Sequence, residues 1–243
     1  MVQAALNGTR TRAEHAAIPL TPAEQATEAR ASVAAGAGAV HVHVRDSRGH
    51  ESLEASDVAA AIEAIRLACP GTPIGIATGA WIVPDLRQRL ALVRSWTTLP
   101  DYASVNLHEA GAPRVIELLL ERGIGVEAGI WNAPAAVSLI ESGLADKCLR
   151  ILLEPAEASC SARANLLQIE NALAGAKPSR LLHGLGHCAW HVIELAARRH
   201  YDTRTGFEDT LRLPDGSLAG SNAELVSAAC RLVQHTRDTY GLK

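Results

Sequence analysis

Apolar and polar positions alternate most strictly over Ala39-Val40-His41-Val42-His43-Val44-Arg45-Asp46. Successive side chains of a strand point to opposite faces, so the three valines share one face and His41, His43 and Arg45 share the other. Further short apolar runs at 2–6, 74–77, 102–106, 124–128, 148–153, 181–183 and 201–204 read as strands. Helical patterns separate them over 22–36, 56–69, 84–94, 113–122, 133–142, 158–174, 189–199 and 222–240. The first of these helices opens on Thr21-Pro22-Ala23-Glu24, a capping box with proline at the first helical position. The second ends at Pro70-Gly71. Eight strand–helix units with no composition shift or linker between them predict a single (β/α)8 TIM barrel over residues 1–243, in preference to a doubly wound open sheet.

Composition is compatible with that fold and narrows the function. With 243 residues, 48% of them hydrophobic, the chain can bury a full core. The net charge of -3 and the lack of any Lys or Arg run leave no groove that would track nucleic acid. Cys69, Cys148, Cys160, Cys188 and Cys230 are odd in number and never form a Cys-x-x-Cys pair, a pattern of reduced thiols rather than of disulfides or a thiolate metal site. No secretory leader and no membrane-length apolar run is visible, so a cytoplasmic protein without a membrane partner is expected.

In such a barrel the site forms at the C-terminal ends of the strands. Polar residues collect there: Asn7 to Arg10, His41 and His43, Thr78-Gly79, Ser104 and Asn106, Glu127, Glu154, His183, and Arg204-Thr205-Gly206-Phe207-Glu208-Asp209. Closure sets the eighth strand beside the first two, so Glu208 or Asp209 reaches an ion held by the two histidines. Two His and one carboxylate leave an open position, the arrangement of a catalytic zinc, which polarises a carbonyl or activates water. Adjacent side chains diverge, so one of Glu208 and Asp209 binds metal while the other acts as a base. His183 is either pocket wall or ligand contact. His108, His187, His191 and His200 read as solvated or packed.

Asn7-Gly8, Pro19-Leu20-Thr21-Pro22-Ala23-Glu24, the run from Ala35 to Asp46, Arg204 to Asp209 and the helix start at Ser221-Asn222-Ala223-Glu224 together resemble the β-keto acid cleavage enzyme family. The resemblance implies a zinc-bearing TIM barrel, usually a tetramer, that converts a β-keto acid and acetyl-CoA to acetoacetate and a new acyl-CoA. It implies His41, His43 and Glu208 as zinc ligands, Asp209 as base, and Arg204 and Glu127 as further catalytic residues. Thr78, Gly79, Ser104 and Asn106 become substrate-pocket residues, with Arg10 where the lysine-fermentation enzyme of the family binds an amino group through glutamate.

Three departures from the family pattern shape the expectation. Ala77 stands where a serine partners the base, leaving Thr78 or Arg204 to hold Asp209. Arg10 suits an anionic or neutral polar side chain and argues against an aminated substrate. The stretch Glu154-Pro155-Ala156-Glu157-Ala158-Ser159 places two carboxylates beside the path that CoA phosphates would take. Two other readings remain: a metal-dependent hydrolase of the amidohydrolase kind, and a metabolite-binding relative that has lost catalysis.

Overall fold

The structure, a computed structural model, describes residues 1–155 and 162–241. Eight parallel strands close into one barrel in sequence order: β1 (Val2–Ala5), β2 (Ala39–Val42), β3 (Ile74–Ala77), β4 (Tyr102–Asn106), β5 (Gly125–Ile130), β6 (Arg150–Leu153), β7 (Ser179–Leu182) and β8 (Asp202–Thr205). The helices α1 (Pro22–Ala34), α2 (Ala55–Ala68), α3 (Leu86–Ser95), α4 (Ala112–Glu121), α5 (Ala133–Glu141), α6 (Ala162–Ala172), α7 (Ala189–Arg198) and α8 (Asn222–Tyr240) alternate with them. The expected (β/α)8 barrel is therefore what forms. Helix starts follow local chemistry: Thr21 and Glu24 complete the capping box of α1, while the Asp85 side chain caps α3 and moves its start two residues beyond the predicted 84. The expected start of α6 at 158, the loop residues 156–159 and Cys160 lie outside the described residues. Cys69, Cys148, Cys188 and Cys230 are unpaired thiols.

The two faces of the sheet are chemically opposite. Val40, Val42, Ile74, Ile76, Val105, Val126, Ile151 and Leu153 point outward into one continuous apolar layer under the helices. The hydrophobic driving force for closure lies there. The interior is polar. Gln3 Nε2 donates to the Tyr102 hydroxyl at 2.9 Å and to Glu127 Oε1 at 2.8 Å, and Tyr102 donates to the Val40 carbonyl at 2.7 Å. Arg150 Nε meets Glu127 Oε1 at 3.0 Å, and its guanidinium lies 5.4 Å from the Tyr102 ring centre. Branched aliphatic layers fill most TIM barrels; here a buried ion pair with hydrogen-bonded neighbours takes the place of part of that filling.

Breaking a buried pair leaves an uncompensated charge. Replacing Arg150 by Ala is expected to cost about 3–5 kcal/mol, read as a lower urea midpoint. A midpoint equal to wild type would show that Glu127 does not depend on Arg150.

Candidate active site

The strand ends are tied together by backbone contacts before any site side chain is placed. Asn7, directly after β1, accepts the His43 N–H at 2.9 Å and donates to the His43 carbonyl at 3.0 Å, and Gln25 of α1 donates to the same carbonyl at 3.2 Å. His43 is thereby fixed although it lies just beyond the last β2 residue. Gly8 takes a left-handed φ of 55°, and a Cβ there would fall 2.5 Å from Glu208 Cγ. Gly206 lets the chain after β8 press on β1: a Cβ would stand 2.0 Å from the Ala5 carbonyl oxygen, and the Glu208 N–H donates to that oxygen at 3.2 Å.

These ties aim three donors at one point. His41 Nε2 lies 3.7 Å from Glu208 Oε2, and His43 Nε2 lies 3.5 Å from Glu208 Oε1. The three residues form the metal-competent cluster found among the described residues, each offering an atom within 4.8 Å of the others. Ligand atoms on a tetrahedral ion with bonds of about 2.1 Å stand about 3.4 Å apart. The two histidine–carboxylate gaps, each to a different Glu208 oxygen, lie near that spacing and exceed ordinary hydrogen bonds. Glu208 Oε2 is buried with no hydrogen-bond partner, as an atom meant for an ion would be. The residues present fit a divalent metal.

The surroundings orient the ligands. His43 Nδ1 stands 2.6 Å from Glu51 Oε1, so Nε2 is left for the metal. The Trp81 indole N–H donates to both Glu51 oxygens, at 3.2 and 3.0 Å, and its ring stacks on His43 at 6.1 Å. Burial pushes both histidines down. In His41 it prevails and leaves the imidazole near 3, neutral and ready to ligate. In His43 the carboxylates of Glu208 and Glu51 outweigh it and raise the group to about 9, so an arriving cation displaces a proton.

Arg204, on β8, organises the acidic side of the site. Its Nη2 lies 2.9 Å from Glu208 Oε1 and 2.7 Å from Asp209 Oδ1, and its Nε lies 3.2 Å from Asp209 Oδ2. Burial raises both carboxyls, yet Arg204 with His43 and His41 holds Glu208 well below the usual range, and Arg204 with His183 holds Asp209 low. His183 sits between two carboxylates, 3.3 Å from Asp209 Oδ1 and 3.3 Å from Glu154 Oε2. Burial and Arg204 push this imidazole down, and Asp209 and Glu154 more than reverse that, to about 9. A cavity of about 290 Å³ opens over the cluster, walled by Thr9, Ala77, Ser104, Asn106, Glu154 and Arg204 among others.

Residues 1–239 match the beta-keto acid cleavage enzyme family. The chain belongs to that family. Among curated relatives it is 29% identical over 250 residues to the 3-keto-5-aminohexanoate cleavage enzyme of Fusobacterium nucleatum, covering 96% of this chain and 91% of the relative. The enzyme of the same description from Acetoanaerobium sticklandii is 24% identical over 255 residues, with the same coverage. Among solved structures, the 3-dehydroquinate dehydratase of Aquifex aeolicus superposes with a TM-score of 0.61 at 15% identity, covering 97% of this chain and 98% of the other. The tryptophan synthase alpha subunit of Legionella pneumophila reaches 0.60 at 11% identity, covering 97% and 93%. These two likenesses show the barrel alone.

For this family member, His41, His43, Glu208, Arg204, Ser104 and Asn106 all border the cavity. Asp209 does not: it is fully buried behind Arg204. Glu127 lies below, in the Gln3–Tyr102–Arg150 network. The Thr78 hydroxyl donates to the Ser104 carbonyl at 2.6 Å, so of the two candidates for holding Asp209 it is Arg204 that does so. Gly79 is covered by the Trp81 ring. Arg10 pairs with Glu14 at 2.8 Å and borders a neighbouring cavity instead. His183 contacts carboxylates and stands outside the metal cluster.

Sequence reasoning missed Glu51 and Trp81. The signal for Glu51 was the Asp46-Ser47-Arg48-Gly49 turn, where Asp46 caps the Arg48 and His50 N–H groups and an Arg45–Glu51 bridge folds the loop back over His43. Trp81 carries no such local signal.

Replacing Glu51 by Gln is expected to weaken divalent metal binding about 10–100-fold, measured by competition with a chromophoric chelator. Unchanged affinity would mean that the Asn7 and Gln25 contacts alone orient His43. A second expectation concerns pH. The His183 value in the fold, about 9, lies above its ordinary 6.5. Its stabilisation is therefore complete below about pH 6.5 and lost as pH rises through about 9. The metal-free wild type should lose more of its urea midpoint across that interval than His183→Gln. His43 titrates there in both proteins, so equal losses would remove His183 from the balance.

Proposed function

We propose that this chain is a zinc-dependent β-keto acid cleavage enzyme that condenses a β-keto acid with acetyl-CoA and releases acetoacetate and a new acyl-CoA. The observation that carries the reading is the open-sided His41–His43–Glu208 donor set with Arg204 in the same cavity wall. Zinc bound there would supply Lewis-acid polarisation of the carboxylate and keto oxygens of such an acid. The family resemblance extends the reading to a homotetramer.

The protein's own groups then divide the work. The entering substrate carboxylate competes with Asp209 for the Arg204 guanidinium, and the exchange frees Asp209. A carboxylate released from an arginine regains basicity. Asp209 takes the acidic proton from the carbon between carboxylate and ketone, and that carbon attacks the acetyl thioester. The thiolate of CoA leaves the acetyl carbon and attacks the former keto carbon within the adduct; the bond from that carbon to the α-carbon breaks to give the new acyl-CoA, and the α-carbon takes a proton back to give acetoacetate. His183, protonated between Asp209 and Glu154, relays the charge by giving one proton from Nε2 to Glu154 at the cavity edge as Asp209 takes the one from the substrate. Glu127 supports the floor beneath Arg204. The substrate has an anionic or neutral polar tail, because Arg10 next to Thr9 would repel an ammonium group.

A second reading, a metabolite-binding relative without acyl exchange, draws on Ala77 and on the burial of Asp209. One assay separates them: acetoacetate release from acetyl-CoA across a panel of β-keto acids, with metal content measured. Wild type should turn over, and Asp209→Asn should lose about 10²–10⁴-fold with its metal retained. Equal rates would remove Asp209 from the mechanism, and zinc retention without turnover on any acid would favour the second reading. Within the panel, dicarboxylic or neutral acids should exceed the amino acid analogue. The reverse order would sink the assignment of the substrate tail.

A further inference from the structure

A second cavity of about 400 Å³ adjoins the first. Thr9 and Leu185 border the metal-site cavity, and their chain neighbours Arg10 and Gly186 border the second, so the two share a rim. The second is walled by Arg10, His187, Trp190, Leu211, Arg212 and Pro214 among others, with no aspartate or glutamate among the described residues of its lining. That is unlike the chain as a whole, which carries 26 acidic residues against 23 Lys and Arg. A different cavity with three arginines, Arg12, Arg45 and Arg48, also has Asp46 and Asp57 in its wall, and Asp46 pairs with Arg48 at 3.2 Å.

The cations of the second cavity keep donors in reserve. Arg10 commits Nη1 to Glu14, while its Nε is buried with no partner. Arg212 commits Nη1 to the Gly216 carbonyl at 2.7 Å. The loop carrying Arg212 is built, not loose: Leu213 N–H donates to the Ser217 carbonyl at 2.9 Å, and the Trp190 indole donates to the Arg212 carbonyl at 2.9 Å. Trp190, Leu211, Leu213 and Pro214 add apolar and aromatic surface. Cations beside an aromatic wall suit a phosphorylated planar base. The place also agrees, since the loops after the seventh and eighth strands are where TIM barrels commonly seat phosphate.

We propose that this second cavity seats the phosphate-bearing nucleotide end of the coenzyme A thioester, with Arg10 and Arg212 on its phosphates and Trp190 beside its base. The proposal rests on the reading that acetyl-CoA is the co-substrate. It gives CoA a path along the loops that follow the seventh and eighth strands.

Two measurements on the metal-loaded protein test it. Calorimetric titration with adenosine 3′,5′-bisphosphate reads the seat without turnover, and KM is compared for acetyl-CoA and for S-acetyl-N-acetylcysteamine, which has no nucleotide. Arg212→Ala and Arg10→Ala should each weaken bisphosphate binding about 10-fold and raise KM for acetyl-CoA similarly, and Arg212→Ala should leave kcat/KM for the short thioester unchanged. Arg212→Lys should recover part of the loss. Absent bisphosphate binding in wild type, or binding equal in wild type and both alanine variants, overturns the proposal. So does a rise in KM for the β-keto acid in place of acetyl-CoA, which would assign the cavity to the substrate tail. Bisphosphate binding that depends on Arg212, without acetoacetate formation, would keep the nucleotide seat and overturn the acyl-transfer reading instead.

Discussion

Glu208 and Asp209 are consecutive carboxylates at the barrel mouth, Glu208 in the cavity wall and Asp209 buried behind it, and a third, Glu154, stands close by across His183. Without a counter-charge, burial would drive protons onto them. Arg204 prevents this by contacting Glu208 and Asp209 with one nitrogen at 2.9 and 2.7 Å. That cation, with the two imidazoles that Glu208 faces, keeps Glu208 an anion, and with His183 it keeps Asp209 charged where no solvent reaches. The same contact sets the condition for chemistry. A base pinned by a guanidinium is a weak base, so the site must give Arg204 another anion before Asp209 can accept a proton.

The polar interior continues downward from that cluster. Burial raises the Glu127 carboxyl above its usual range, and Arg150, then Gln3 and Arg204, pull it part of the way back. Mouth and floor therefore belong to one electrostatic system, in which the charges of Arg150 and Arg204 face those of Glu127, Asp209 and Glu208. An interior of this kind contributes little hydrophobic stabilisation. The outward valines, isoleucines and leucines of the strands supply it against the helices. The barrel is held together from outside and kept reactive inside.

How much of this was legible in the chain depends on the range of the interaction. Alternation over residues 39–46 placed His41 and His43 on one face, and the eightfold rhythm of strands and helices set β8 beside β1, so Glu208 or Asp209 could be brought to the pair, with the family resemblance favouring Glu208. Each of those inferences uses a period or a neighbour relation. Arg10 escaped because its direction depends on the turn after β1, which sends it to Glu14 and the second cavity. Asp209 was named, but its place behind Arg204 follows from how the chain turns at Gly206 against Ala5. For His183 the sequence offers pocket wall or ligand contact, and the fold gives it a third role, bridging carboxylates.

The sequence by itself determined the barrel, the pairing of two imidazoles with a carboxylate at its mouth, and membership in a family whose motifs run nearly end to end. Those properties are carried by side-chain periodicity and by local capping and turn chemistry, which act over a few residues. The tertiary structure alone decided that Glu51 and Trp81 brace His43, that Thr78 turns away while Arg204 holds Asp209, and that two cavities share a rim between Thr9 and Arg10. Each joins groups distant along the chain or depends on one backbone rotation in a loop, and neither kind of information has a period that a sequence can display.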